Sequence, residues 1–228
     1  MSEIQIKQGN SIYEKDSSVT MISIIIEGTV SVSFSNDTFQ LSAGDVIGIL
    51  DLYTNAHSCT YIAESDVVVD SYPYKNSNSL ADILQEEPDF YPDFFRSSLK
   101  QLFAVTDFCS RKTQSCDALY SALMEYHRDY AALCKQCHFP PKILPGLESV
   151  QPFIPETRPE EHLFPYYTDL SKVVEDRSTR SALFKPGFLV GFLHGLSRDT
   201  HQYLNTYEEM SDYLFRLSHL LMNEEKID

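Results

Sequence analysis

Basic residues are scarce in this chain of 228 residues: 18 Lys and Arg stand against 33 Asp and Glu, a formal charge of −15. The deficit sits at the front. Residues 1–95 hold fifteen acids against Lys7, Lys15 and Lys75, a net −12, while residues 96–228 come to −3. Neither part offers the basic surface that neutralises phosphates, so neither nucleic acid nor an anionic membrane is expected as a partner. Long apolar runs are also missing. The longest in the second half, Phe188-Leu-Val-Gly-Phe-Leu-His-Gly-Leu196, is far shorter than the about 20 residues a spanning helix requires. The start lacks a basic segment followed by an apolar one, so a cytoplasmic protein is expected, with its cysteines reduced. There is no nucleophile elbow, no phosphate-cradling glycine loop with a lysine, no internal repeat and no low-complexity run. No catalytic residue, no cofactor and no enzymatic activity are therefore expected.

What is present divides by periodicity. Val19-Thr-Met-Ile-Ser-Ile-Ile-Ile26 is rich in β-branched residues, and Thr29-Val-Ser-Val-Ser-Phe34 alternates with period 2. Glu27-Gly28, Ser35-Asn-Asp37 and Ala43-Gly44-Asp45 supply turns, and Ser58–Ala63 and Asp66–Val69 continue the strands. Short strands closely spaced by turns predict a jelly roll or barrel. Near residue 79 the period becomes helical, through Leu80, Ile83 and Leu84, with Pro88 and Pro92 interrupting. A long helix is predicted from Asp93 to about Cys137, with a break in the polar stretch Cys109–Cys116. Residues 139–165 hold seven of the 11 prolines and read as an extended strap, since Phe153, Ile154, Leu163 and Phe164 offer it apolar anchors. From Tyr166 the chain is again helix-like. The fold class is α+β: an N-terminal β jelly-roll barrel (1–95), long connecting and dimerisation helices (96–138), and a Pro-rich strap with a helical domain (139–228).

The glycine order is more specific than the strands. Gly9, Ile24-Ile-Ile-Glu-Gly28, Val30-Ser-Val32, Leu41-Ser-Ala-Gly44-Asp45, Gly48 and Ser58-Cys-Thr60 follow one another, and Leu80-Ala-Asp-Ile-Leu84 and Glu87-Pro88 come after. This series resembles the cyclic-nucleotide-binding domain of bacterial catabolite activators, protein kinase A regulatory subunits and gated channels, over about residues 5–100. The resemblance implies a barrel with a phosphate cassette opening at Gly48, and it makes Gly48, Ile49, Leu50, His57, Ser58, Cys59 and Thr60 the candidate ligand-binding residues.

The binding chemistry departs from that pattern. A cyclic phosphate needs a charge partner and backbone N–H donors. In the family an arginine supplies the charge and a glutamate accepts the ribose hydroxyl; by the resemblance these positions hold His57 and Ile49, and the loop between Gly48 and His57 is one or two residues short. A neutral histidine makes no bidentate contact, and isoleucine accepts no hydrogen bond. Such a loss costs on the order of 100-fold in affinity, so tight binding of cyclic AMP or cyclic GMP is not expected, and His57 reads as a surface-loop histidine. A side-chain-filled pocket, with Ile49, Leu50 or Leu52 turned inward, is expected instead. Metal-binding barrels of related shape need two or more inward histidines, and residues 1–95 contain His57 alone, so no metal is expected there.

Two further patterns stand in the helical part. Gly187, Gly191 and Gly195 lie four apart and would form a smooth helix face for close packing of another backbone. The same stretch, 187–205, also resembles a helix-turn-helix, with Gly195-Leu-Ser-Arg-Asp-Thr200 as turn and recognition-helix start; Glu208, Glu209 and Asp212 then come where phosphates would lie. Cys134-Lys-Gln-Cys137-His138 has metal-motif spacing, but Cys109 and Cys116 could join it only through a chain reversal. The reading is a regulatory, sensor or protein-interaction module with a degenerate cassette, for an unknown small-molecule effector or protein partner. A homodimer through the helix after the barrel, with Phe95, Leu99, Leu102 and Phe103 as contacts, is expected. The alternative is a DNA-binding regulator of the catabolite-activator type.

Overall fold

In the computed structural model, residues 2–142, 146–147, 150–155 and 185–224 are described. Eight strands come first: β1 (Ser2–Ile6), β2 (Ser11–Tyr13), β3 (Met21–Glu27), β4 (Thr29–Phe34), β5 (Asp37–Ser42), β6 (Val46–Ile47), β7 (Thr60–Ala63) and β8 (Val67–Pro73). Among the described residues three helices come after them: α1 (Ser77–Glu86), α2 (Tyr91–Gln136) and α3 (Pro186–Glu224). The strands form two four-stranded antiparallel sheets, ordered β1-β8-β3-β6 and β2-β7-β4-β5. This is the expected jelly-roll barrel. Strand β4 buries Val30, Val32 and Phe34 and leaves Thr29, Ser31 and Ser33 half-exposed, as its period-2 pattern requires. In β3 the run Ile22–Ile25 is buried without alternation, because both of its faces are covered.

The chain groups into two compact units: one has the described residues of Met1–Thr106 and Pro159–Leu204, the other those of Asp107–Arg158 and Asn205–Asp228. In the first, the barrel is closed by helices. Asn76 caps α1 by accepting from the N–H groups of Asn78 and Ser79, and Leu80, Ile83 and Leu84 face the core. Pro88 opens a short 3-10 turn and Pro92 falls in the first turn of α2, where a missing N–H costs nothing. The start of α2 buries Phe94, Phe95, Leu99 and Leu102. It also bonds the backbone of β6: Val46 N–H donates to Ser97 Oγ at 2.8 Å, and Gln101 Nε2 donates to Val46 O at 2.8 Å. Leu189, Leu193 and Leu196 of α3 join this core, and Phe192 stacks on Phe95 at 4.9 Å.

The second unit packs the later part of α2, with Cys116 and Leu123 buried, and the end of α3, with Tyr207, Met210, Tyr213 and Leu217 buried. Residues 150–155 have no regular secondary structure and are anchored there. Tyr213 donates to Gln151 O at 2.8 Å and its ring lies 5.5 Å from Phe153, so this described part of the proline-rich stretch lies as a strap. Leu163, Phe164 and the helix expected from Tyr166 fall on 156–184, outside the described residues.

Four expectations change. No break occurs at Cys109–Cys116, since α2 is one helix throughout. Consequently Cys109 and Cys134 stand about 37 Å apart at 1.5 Å per residue, and the reversal that a shared zinc site would need is not made. The helix-turn-helix at 187–205 is not formed, because α3 runs unbroken through it. Nor do the three glycines receive a close neighbour: a Cβ at Gly187, Gly191 or Gly195 would meet nothing within 4 Å among the described residues. Finally, Phe95, Leu99 and Leu102 are buried within the chain, against its own barrel and α3, and are not open to a dimer partner; Phe103 is half-exposed. No described helix is long and apolar enough to cross a membrane.

Candidate functional site

The cassette begins where β6 ends. Gly48 has φ +88, and a Cβ there would stand 3.1 Å from Met21 O, so glycine is what lets the chain turn sharply into Ile49–Asp51. Those residues form one 3-10 turn, and Ile49, Leu50 and Leu52 are all buried. The loop is then tied to residues 16–19. Val19 N–H donates to Asn55 O at 3.0 Å, His57 N–H to Ser17 O at 2.8 Å, and Asp16 N–H to His57 O at 2.8 Å.

The centre of the cassette is a carboxylate. Asp51 is fully buried and takes donors from three directions. His57 donates from Nδ1 to Oδ2 at 3.1 Å, Ser58 N–H donates to Oδ1 at 2.9 Å, and Tyr61 donates to Oδ2 at 3.4 Å. A buried acid is stable only when paired and hydrogen-bonded in this way. His57 is thereby corrected from a surface histidine to a core one: both side chains of the pair have 0% exposure. Its ring stacks on Tyr13 at 4.6 Å and meets Tyr61 edge-on at 5.6 Å, and its Nε2 is buried with no hydrogen-bond partner among the described residues. Burial, and then the charge of Asp51, push the Tyr61 hydroxyl well above its ordinary pKa, and the same two causes raise the Cys59 thiol. Both groups are held protonated. The cluster is a buried polar network centred on Asp51, with the thiol of Cys59 and the hydroxyl of Tyr61 both kept from acting as nucleophiles.

The remaining predicted residues have plain places. Cys59 is buried and free, and Thr60, half-exposed on β7, accepts from Lys15 N–H at 3.3 Å. Gly48, Ile49, Leu50, His57, Ser58, Cys59 and Thr60 do share one region, although Ile49 and Leu50 contribute only apolar filling. Sequence reasoning missed Asp51, Tyr13, Tyr61 and Ser197. The last comes from α3: its Oγ donates to Leu50 O and accepts from Tyr53 N–H at 2.9 Å, so α3 grips the outer side of the cassette turn. The signal for Asp51 was an acid between two leucines, Leu50 and Leu52, a place where a charge requires a partner.

No protein-family model matches the chain, and no curated protein matches it. Solved structures are similar to parts of it. One is a cAMP-binding acyltransferase from Mycobacterium smegmatis, at 17% identity over 46% of this chain and 33% of that one, with a TM-score of 0.37. Another is the regulatory subunit of a cAMP-independent protein kinase A from Trypanosoma brucei, at 20% identity over 39% of this chain and 35% of that one, TM-score 0.32. A transcriptional regulator from Thermotoga maritima matches at 15% identity over 42% of this chain and 78% of that one, TM-score 0.35. The chain therefore spans about a third of the length of the first two. With the two sheets in place and the glycines at their turns, the N-terminal part of this chain is a jelly-roll barrel that resembles the cyclic-nucleotide-binding domain.

Proposed function

We propose that this protein is a regulatory or protein-interaction module whose barrel does not answer to cyclic AMP or cyclic GMP. One observation carries the reading: the donors that a cassette would turn towards a cyclic phosphate, His57 Nδ1 and the Ser58 N–H, are both spent on Asp51. An incoming phosphate would have to displace this internal carboxylate and would meet its negative charge. It would also find Ile49 where a hydroxyl acceptor is needed. The apolar side chains of Ile49, Leu50 and Leu52, packed at 4% exposure or less, fill the turn. Each burial is favourable at about 25 cal/mol per Å² removed from water.

The coupling through Ser197 gives this module a way to act. A small molecule or protein that binds at the exposed Tyr53 side chain bears on Ser197, the α3 residue bonded to its N–H. No catalytic step is assigned to the barrel. The test is a calorimetric titration of the full chain with cyclic AMP and cyclic GMP. No saturable heat is expected up to about 100 µM ligand, given the roughly 100-fold loss expected for missing anchors; a micromolar dissociation constant for either would sink the reading.

A further inference from the structure

The second unit contains a cavity of about 670 Å³ between the strap and the end of α3. It is open to solvent on one side, and clefts of a few hundred Å³ with apolar walls are the usual form of small-molecule sites. One wall is Val150, Phe153 and Ile154; the other is Phe215, Leu217 and Leu220. Ile154 and Phe215 expose 72% and 71% of their surface, apolar area left in water at the edge of the same cavity. One polar group of the strap wall is already used, since Tyr213 donates to Gln151 O.

Arg216 decides the class of ligand. It is the lining residue with a permanent charge, it is exposed, and it forms no ion pair among the described residues although Asp212 lies one helical turn away. In a chain of net charge −15, an unpaired guanidinium beside an apolar cavity selects for one negative group on an apolar body. A single guanidinium matches a carboxylate, with its two parallel acceptors, better than a dianionic phosphate that needs several donors. We infer that this cavity is a binding site for an amphiphilic monocarboxylate, with the carboxylate on Arg216 and the apolar part between Phe153, Ile154, Leu217 and Leu220. The proposal is independent of the reading of the cassette, which lies in the other unit.

The test is calorimetry of the full chain with sodium dodecanoate, 1-dodecanol and dodecyltrimethylammonium, each below its aggregation limit. Dodecanoate is expected to bind at one site with a micromolar dissociation constant, at least about tenfold tighter than the alcohol, as a charge-assisted contact requires, and tighter still than the cation. Arg216→Gln is expected to remove the preference for the carboxylate while leaving the alcohol bound. Ile154→Asp is expected to abolish binding of both. Both positions are exposed, and circular dichroism and thermal unfolding verify that each variant is folded. Absence of saturable dodecanoate binding below about 1 mM overturns the proposal. So does binding that survives Ile154→Asp, or equal affinity for the cationic amphiphile.

Discussion

Asp51 governs the barrel at the scale of single residues. Its carboxylate is the common acceptor for His57, Ser58 N–H and Tyr61, and His57 and Tyr61 are buried, with no water to fall back on. Replacing it with alanine removes one charge and orphans three donors together. Breaking a buried pair from one side typically costs about 3–5 kcal/mol, mostly for the partner left behind. Asp51→Ala is therefore expected to lower the unfolding free energy by about that much in a urea titration, and Asp51→Asn by less, because the amide oxygen still accepts from Ser58 N–H. A loss below about 1 kcal/mol for the alanine variant would mean that the network is not as closed as its distances indicate. None of this pairing was legible in the sequence. Asp51 and His57 are separated by a loop whose course depends on residues 16–19, and a charge between two leucines announces only that some partner exists.

At the scale of elements, turns were legible and helix continuity was not. Gly28 joins β3 to β4 with φ +94, and a Cβ placed on it would stand 2.4 Å from the Asp66 carbonyl oxygen. Both the dihedral and the contact forbid a side chain, so Gly28→Ala is expected to cost about 2–3 kcal/mol by urea denaturation. A cost under about 0.5 kcal/mol would show that the β3–β4 turn relaxes freely. The sequence reports such positions because the constraint is local. The break expected at Cys109–Cys116 and the alternative reading of a turn at Gly195 fail for the opposite reason. Polar residues and glycines lower helix propensity by at most about 1 kcal/mol each, and packing on either side overrides that. Thr113 bonds Cys109 O, Ser197 holds Leu50 O, and each helix runs on through its weak stretch.

The charge distribution acts over the whole molecule. With −15 in all, and with Glu208, Glu209 and Asp212 exposed on the continuous helix that replaces the expected turn, no surface of the described chain collects the cations that phosphates demand. Arg198 is committed to its neighbour Asp199 at 3.1 Å. Fluorescence anisotropy with random duplex DNA at low salt is expected to show no binding tighter than about 10 µM, and no steep dependence on salt. Tight, salt-sensitive binding would return the chain to the transcription regulators. Phe95, Leu99 and Leu102, the α2 residues expected at a dimer interface, are buried within the chain and are not open to a second copy.

The amino-acid sequence by itself determined the strands, the positions of the turns and the helical character of the chain beyond the barrel. Each of these rests on short-range physics: β-branched alternation, positive φ that glycine meets at no steric cost, and apolar spacing of three and four. It also carried the glycine order on which the barrel's resemblance rests, and the replacement of the expected anchors by Ile49 and His57. Tertiary structure alone decided where Ile49 and His57 stand and what they touch. Ser197 meets Leu50 across 147 residues of chain, and His57 and Tyr61 converge on Asp51 from a loop and a strand, with Tyr13 stacked on His57. The cavity beside Arg216 exists only because a proline-rich strap is laid along α3. Contacts between residues so far apart depend on how whole elements pack, and no window along the chain contains that information.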